Sequence, residues 1–164
     1  MLKPVKTRTA RTGVDGTFAI VASRYNARYV DAMLRAAKAE LRRAGVSRIQ
    51  IVRVPGAYEI PLAAKCLVRA SRSGPQVALS AIICLGVILR GETVHAAHIG
   101  EAVSRALMEI QLAHEIPVIH EVLLLENEAQ ARVRCLSQKH NRGAEAAQSA
   151  MAMARVMAVL NAAL

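Results

Sequence analysis

The sequence predicts an α/β domain in which a parallel sheet is covered by helices on both faces. Two observations lead there. First, apolar or β-branched runs of strand length recur along the chain, at Phe18–Ala22, Ile49–Val54, Leu79–Leu85 and Val118–Leu125, and each is followed by a segment with helical spacing. Strands that alternate with helices of this length form βαβ units, whose parallel strands need cover on both sides and whose ligands bind at the carboxyl ends of the strands. Second, at 164 residues the chain suits one core, because a chain of this size buries roughly 70% of its extended surface. The domain is expected to span residues 17–164, preceded by a basic, aperiodic tail at residues 1–16.

The helices follow from periodicity and from their stop signals. The first, about Ala27 to Ala44, carries Val30, Met33, Leu34, Ala37 and Leu41 on one face and stops at Gly45. The second follows Pro61 and ends near Ser73-Gly74-Pro75. The third, about Ala96 to Glu115, aligns Ile99, Val103, Leu107 and Ile110 and stops before Pro117. A fourth helix, about Glu128 to Gln138, is interrupted near His140-Asn141-Arg142-Gly143, and a last helix then runs almost to Leu164. That last segment is apolar nearly all round, as suits a helix covered partly by a neighbouring copy.

Composition narrows the class. The hydrophobic fraction is 54%, yet the longest apolar run, Val77 to Leu89, falls short of the ~20 residues that span a bilayer. So apolar a chain, with so little aromatic content, is expected to hide surface against copies of itself. The start, Met1 to Arg8, has charge but no apolar stretch behind it, which reads as a cytoplasmic protein without a secretory signal. Cys66, Cys84 and Cys135 are odd in number and far apart, so they are expected to be buried, reduced thiols and not a disulfide frame or zinc site. The net charge of +10 raises nucleic-acid binding. Outside the tail cluster of Lys3, Lys6, Arg8 and Arg11 the basic residues are scattered and no row of base-stacking aromatics accompanies them, so nucleic acid is not the expected partner.

Three loops after strands hold residues that scaffold alone does not explain. Ser23-Arg24-Tyr25-Asn26 places a ring and an amide past the first strand, suited to stacking on a flat ring and hydrogen-bonding it. Val54-Pro55-Gly56-Ala57-Tyr58-Glu59-Ile60-Pro61 exposes backbone at a glycine and puts Tyr58 and Glu59 at a helix start. Leu85-Gly86-Val87-Ile88-Leu89-Arg90-Gly91-Glu92-Thr93-Val94-His95 ends as the third helix begins. With these three segments in this order and at this spacing, and with the Asn141-Arg142-Gly143-Ala144-Glu145-Ala146-Ala147 segment behind them, the sequence closely resembles the lumazine synthase family from about residue 17 to 157. The resemblance implies a flavodoxin-like three-layer sandwich with strand order 2-1-3-4, pentamers as building units, active sites between adjacent subunits and an association with riboflavin synthase. The connection from Ser137 to Gly143 is short, as in shell-forming relatives, which points to a 60-subunit capsid.

The implied reaction condenses 5-amino-6-ribitylaminouracil with 3,4-dihydroxy-2-butanone 4-phosphate, eliminates phosphate and closes the second ring with loss of water. Its steps are proton transfers and an elimination, so no metal or redox cofactor is expected. His95 matches the family's catalytic histidine; an imidazole can remove and return protons near neutral pH, whereas a histidine at a helix start outside such a motif is more often a cap or packing residue. Gly91, Glu92 and Thr93 lead into a helix whose free N–H groups favour an anion, so they are the expected phosphate loop, with the Glu92 side chain turned away. Arg134 matches the family's phosphate arginine and is expected to complete that site. Arg142 and Glu145 lie where the family has a basic and an acidic residue near the histidine. For the pyrimidine and ribityl chain the expected contacts are Tyr25, Asn26, Gly56, Ala57, Tyr58, Glu59, Val87, Ile88 and Leu89, with His120 matching the aromatic position that a neighbouring subunit supplies. Glu59 has a second reading, as a favourable charge at its helix N-terminus. His120 in place of an aromatic residue, and Ala96-Ala97 where many members have an aromatic and an acid, are departures that admit a non-catalytic flavin-binding shell as an alternative. A metal site from Glu92, His95 and His98 lacks both the HExxH spacing and a further ligand.

Overall fold

The computed structural model describes residues 16–73 and 78–163. The elements follow in the order β1 (Thr17–Ser23), α1 (Ala27–Arg43), β2 (Arg48–Val54), α2 (Ile60–Ser73), β3 (Leu79–Leu89), α3 (His95–His114), β4 (Val118–Leu125), α4 (Glu128–Ala131) and α5 (Arg142–Ala163), with a π-helical turn at Arg132–Leu136 directly after α4. The strands form one parallel sheet in the order β2-β1-β3-β4. One face carries α1 and α5 over a core that includes Phe18, Ile20, Met33, Leu41, Ile83 and Leu85. The other carries α2 and α3 over Ala19, Val21, Ile60, Val68, Ile82 and Leu107. Burying both faces of β1 and β3 explains why their sequences are continuous apolar runs and not an alternation.

Several boundaries differ from the sequence reading, each for a physical reason. The third strand runs on from Leu85 to Leu89, because Gly86 to Leu89 pair with Val122 to Leu125 of β4. The expected helix from Glu128 to Gln138 is one α turn followed by a π turn that ends at Leu136. Asn127 Oδ1 accepts from the Gln130 N–H at 3.0 Å while Gln130 Oε1 accepts from the Glu126 N–H at 3.1 Å, a reciprocal cap that starts this piece. The last helix starts at Arg142, before the expected break at Gly143 is complete. Cys84 and Cys135 are buried, as expected, and burial pushes the Cys135 thiol up to about 11, so both remain neutral at ordinary pH. Cys66 is a correction: it is exposed on α2, where the helix turns that position away from the sheet. The basic tail to residue 15, the Gly74-Pro75 stop of the second helix and Leu164 lie outside the described residues.

Two glycines shape the layer of α1 and α5. Gly45, at φ 90°, closes α1 as the sequence predicts: its N–H donates to the Arg42 carbonyl at 3.0 Å and the Val46 N–H to the Leu41 carbonyl at 3.0 Å, the paired bonds of a Schellman stop. Gly143 does something the sequence reading did not anticipate. A Cβ there would lie 2.0 Å from the Met33 carbonyl oxygen, so the first turn of α5 sits directly on the backbone of α1. Gly143→Ala should therefore force the two helices apart and cost about 1–3 kcal/mol of stability in urea or thermal unfolding. Gly100→Ala, whose added carbon meets Leu124 only at an ordinary 3.6 Å, should show no such loss and serves as the comparison.

Candidate active site

The site follows from the unequal lengths of neighbouring strands. β1 ends at Ser23, paired with Val54, while β3 continues four residues past Leu85, the last partner of β1. On the β1 side, the backbone of Gly86 to Leu89 thus has no strand beside it. Asn26 fills part of that gap: it adopts the left-handed conformation, φ 55° and ψ 40°, and its Nδ2 donates to the Val87 carbonyl at 2.8 Å. The left-handed backbone is tolerable for Asn and costly for most other residues. The loops after β1 and β2 are stitched together by the Arg24 N–H to the Val54 carbonyl at 2.8 Å and the Tyr25 N–H to the Pro55 carbonyl at 2.9 Å. On the other side, the Arg90 N–H donates to the Leu125 carbonyl at 2.8 Å and holds the end of β3 to β4.

A cleft of about 820 Å³ opens at this step in the sheet, where strand order reverses between β1 and β3. It is lined by Tyr25, by Gly56 to Glu59, by Val87 to Leu89, by Gly91 and Thr93, and by His95 with the α3 residues behind it. Most of the residues singled out from the sequence are therefore brought together. Tyr25 and Tyr58 are 72% and 64% exposed, large rings left in solvent at the cleft where an apolar or planar ligand would cover them. His95 is exposed as the first residue of α3, and the N-termini of both α2 and α3 point into the same space, which favours a negative charge there.

Some expected residues have other duties. Glu59 Oε2 accepts from the Gly56 N–H at 2.8 Å, so besides lining the cleft it shapes the entry to α2. Asn26 supports the cleft wall through Val87 and does not line the cleft itself. Glu92 is exposed and is not among the residues that line the cleft. His120, Arg134, Arg142 and Glu145 are outside this cleft altogether. His120 lies on the outer strand β4, its Nε2 2.9 Å from the Ser104 Oγ of α3. Arg142, at the start of α5, donates from Nε to Glu121 Oε1 at 2.6 Å and from Nη1 to Glu145 Oε2 at 2.5 Å. Arg134, in the π turn, has a side chain with no hydrogen bond or ion pair among the described residues.

The sequence reading missed two groups. His98, Ile99 and Ala102 also line the cleft, in step with His95 at the i+3, i+4 and i+7 spacing that puts residues on one helix face, and so does Ala96 next to it. That signal was present in the sequence. In the sequence His98 suggests only a metal ligand; among the described residues no three His, Cys, Asp or Glu side chains stand close enough together to hold an ion. Glu121, buried on β4, carried no such signal.

A sequence model of the 6,7-dimethyl-8-ribityllumazine synthase family matches residues 15–158. The chain belongs to that family. It is similar to the 6,7-dimethyl-8-ribityllumazine synthase of Xanthomonas euvesicatoria pv. vesicatoria, 37% identical over 145 residues that cover 87% of this chain and 90% of the relative. The enzyme of the same name from Xanthomonas campestris pv. campestris is 38% identical over 145 residues, covering 87% and 90%. That from Stenotrophomonas maltophilia is 36% identical over 149 residues, covering 90% and 92%. Family membership makes the chain a transferase of riboflavin biosynthesis. The four-stranded order and the helices on both faces agree with the flavodoxin-like fold that the resemblance implied.

The Asn26 contact offers a direct check on how the cleft wall is held. Asn26→Gly keeps the left-handed backbone and loses only the hydrogen bond to Val87, so it should cost about 1 kcal/mol. Asn26→Ala should cost roughly 1–2 kcal/mol more, since it adds the left-handed strain. Equal losses for the two variants in chemical unfolding would show that backbone conformation plays no part.

Proposed function

We propose that this cleft is where the chain condenses 5-amino-6-(D-ribitylamino)uracil with 3,4-dihydroxy-2-butanone 4-phosphate to give 6,7-dimethyl-8-ribityllumazine, phosphate and water. The observation that carries the assignment is the convergence of His95, the Gly91 to Thr93 turn and two exposed tyrosines on one opening at the ends of the strands. The pyrimidine stacks on Tyr25, with the backbone of Gly56 to Tyr58 and the side chain of Glu59 meeting its polar edges and the ribityl hydroxyls. Val87, Ile88 and Leu89 form the apolar floor. Asn26 acts through that floor by fixing Val87.

His95 serves as base and acid. It is open to solvent at the cleft, so its imidazole can collect a proton from the condensing amine or the ketone carbon and return one as phosphate departs. The phosphate is held at the α3 N-terminus by backbone N–H groups of the Gly91–Thr93 turn and by the Thr93 hydroxyl, with Glu92 contributing backbone only. A dianion needs a cation as well, and none of the cleft's lining residues is an arginine or lysine. Arg134 supplies that charge. Since it lies outside the cleft of its own chain, it comes from an adjacent copy, together with His120 over the pyrimidine and with Arg142 and Glu145 in support.

This division requires an oligomer, which the exposed apolar residues favour: Val94, Met108 and Leu112 on and before α3, Leu124 on β4, and Met153, Val156, Val159 and Leu160 on α5. We take the pentamer as the unit, with the 60-subunit shell as its further assembly, riboflavin synthase as a partner and the cytoplasm as the location. No helix among the described residues is long and apolar enough to cross a membrane.

Mixing the protein with both substrates and following lumazine absorbance tests the reading; binding of the amine without product would favour a non-catalytic shell. His95→Ala should lower kcat by about 10²–10⁴-fold, the range of a lost general acid or base. Arg134→Ala should mainly raise KM for the phosphorylated ketone and leave that for the amine near its original value. Unchanged kinetics in both variants would refute the roles. A mass in solution equal to that of one chain would refute the shared site.

A further inference from the structure

Glu121 has no assigned part in the reaction, yet its surroundings are unusual. Its side chain is 5% exposed, and the residues two places before and after it on β4, Ile119 and Leu123, pack against the apolar core under α1 and α5. A carboxylate in such a place is costly unless it is paired and hydrogen-bonded. Arg142 provides both, from Nε to Oε1 at 2.6 Å and from Nη2 to Oε2 at 3.3 Å, while its Nη1 is taken by Glu145 at 2.5 Å. The fork of Arg142 is thus committed to two carboxylates. Arg134 directly precedes Cys135, whose carbonyl accepts from Asn141 beside Arg142; its charge acts on Glu121, and its side chain makes no hydrogen bond or ion pair among the described residues. Burial pushes the Glu121 carboxyl up; the charges of Arg142 and Arg134 act against this, and that of Glu145 adds to it. A further titratable neighbour, the Cys135 thiol of the π turn, is buried and neutral.

We propose that Glu121 is a positioning residue for the phosphate half of the site: it holds Arg142 away from the anion, leaves Arg134 as the free guanidinium, and limits how tightly that guanidinium grips phosphate. The inference rests on the assignment of Arg134 to phosphate made above. It gives a buried negative charge a use in turnover. Phosphate must bind as part of a substrate and then leave as a product, and two unopposed arginines would retain it. Glu121 and Glu145 offset the charge of Arg134 and Arg142, so the incoming dianion meets a guanidinium whose field is already partly spent on a neighbour.

The test uses the assembled enzyme carrying Glu121→Gln, which keeps the shape and an acceptor for Arg142 but removes the charge. Three quantities are measured: KM for each substrate, inhibition by inorganic phosphate, and phosphate binding by calorimetry without substrates. Even screened as in bulk water, a unit charge about 4 Å away is worth roughly fivefold in anion affinity. Phosphate binding should tighten by about that factor, KM for the phosphorylated ketone should fall with it, and KM for the amine should stay unchanged. Glu121→Asp, which restores the charge, should return phosphate binding to within about twofold of the original protein. Unaltered phosphate binding in Glu121→Gln, or equal movement of both KM values, overturns the proposal. Should that variant fail to fold, Glu145→Gln removes a half-buried charge from the same group; phosphate binding unchanged there also overturns it. If Arg134→Ala leaves phosphate binding intact, the assignment of Arg134 falls, a result distinct from the failure of Glu121.

Discussion

The site depends on a mismatch in strand length. β3 outruns β1 by four residues, and the carbonyl this exposes at Val87 is met by the Asn26 amide in place of a strand. Had β1 continued, the floor formed by Val87, Ile88 and Leu89 would be interior sheet and the tyrosine loops would have no space to overhang. Had nothing replaced the missing strand, a backbone acceptor would stand open at the cleft floor, to be satisfied only by water or ligand. A single asparagine in a left-handed turn thus meets the open edge of β3 with its amide and begins α1 with its backbone carbonyl. The cleft also inherits two helix N-termini, because in a parallel sheet the helices that follow β2 and β3 must begin at the same end.

The cationic groups are arranged on a different principle. Arg142 and Glu145 come from the first turn of α5, a helix that can approach α1 so closely only because residue 143 has no side chain. Asn141 completes the junction, donating from Nδ2 to the Cys135 carbonyl at 2.5 Å and accepting from the Gly143 N–H at 2.9 Å. The motif from Asn141 to Gly143 is therefore largely architectural: it caps α5, ties it to the π turn, and delivers Arg142 to Glu121. Burial works against the Arg142 charge, but the two carboxylates outweigh it and hold its pKa above the ordinary value. The π turn, by contrast, buries Cys135 and leaves Arg134 half-exposed without a partner among the described residues. Such turns are widened helix segments that often mark functional positions.

Periodicity made the four strands and the bodies of the helices legible, because each has a face that must be apolar over several residues. Leu41 and Gly45, for example, mark the end of α1 through a stripe that stops and a glycine that can turn. The end of β3 was not legible. Gly86 resembles a turn residue, and only the register with Val122 reveals that it continues a strand. The π turn was hidden for a similar reason, since Arg132 to Leu136 has ordinary helical composition and its widening is read only from the folded backbone. In the site, Tyr25, Tyr58 and His95 stood out because their chemistry is hard to account for as packing. Glu121 did not: in a strand of alternating faces a polar residue reads as solvent-facing, and its partner lies 21 residues away.

The same reasoning bears on why assembly and chemistry would be inseparable here. The cleft is lined by an imidazole, exposed tyrosine rings and helix N-termini but by no arginine or lysine, while Arg134 lies beyond the cleft of its own chain. Helix N-termini alone offer partial charge, which suits an anion in transit but competes poorly with water for a phosphate dianion. On the proposed reading, a lone chain would bind the amine weakly and the phosphate hardly at all, and both deficits would disappear when a neighbour presents Arg134 and His120. Apolar burial along α3 and α5 would then do two things at once: hold the copies together, and bring the positive charge to where the leaving group forms.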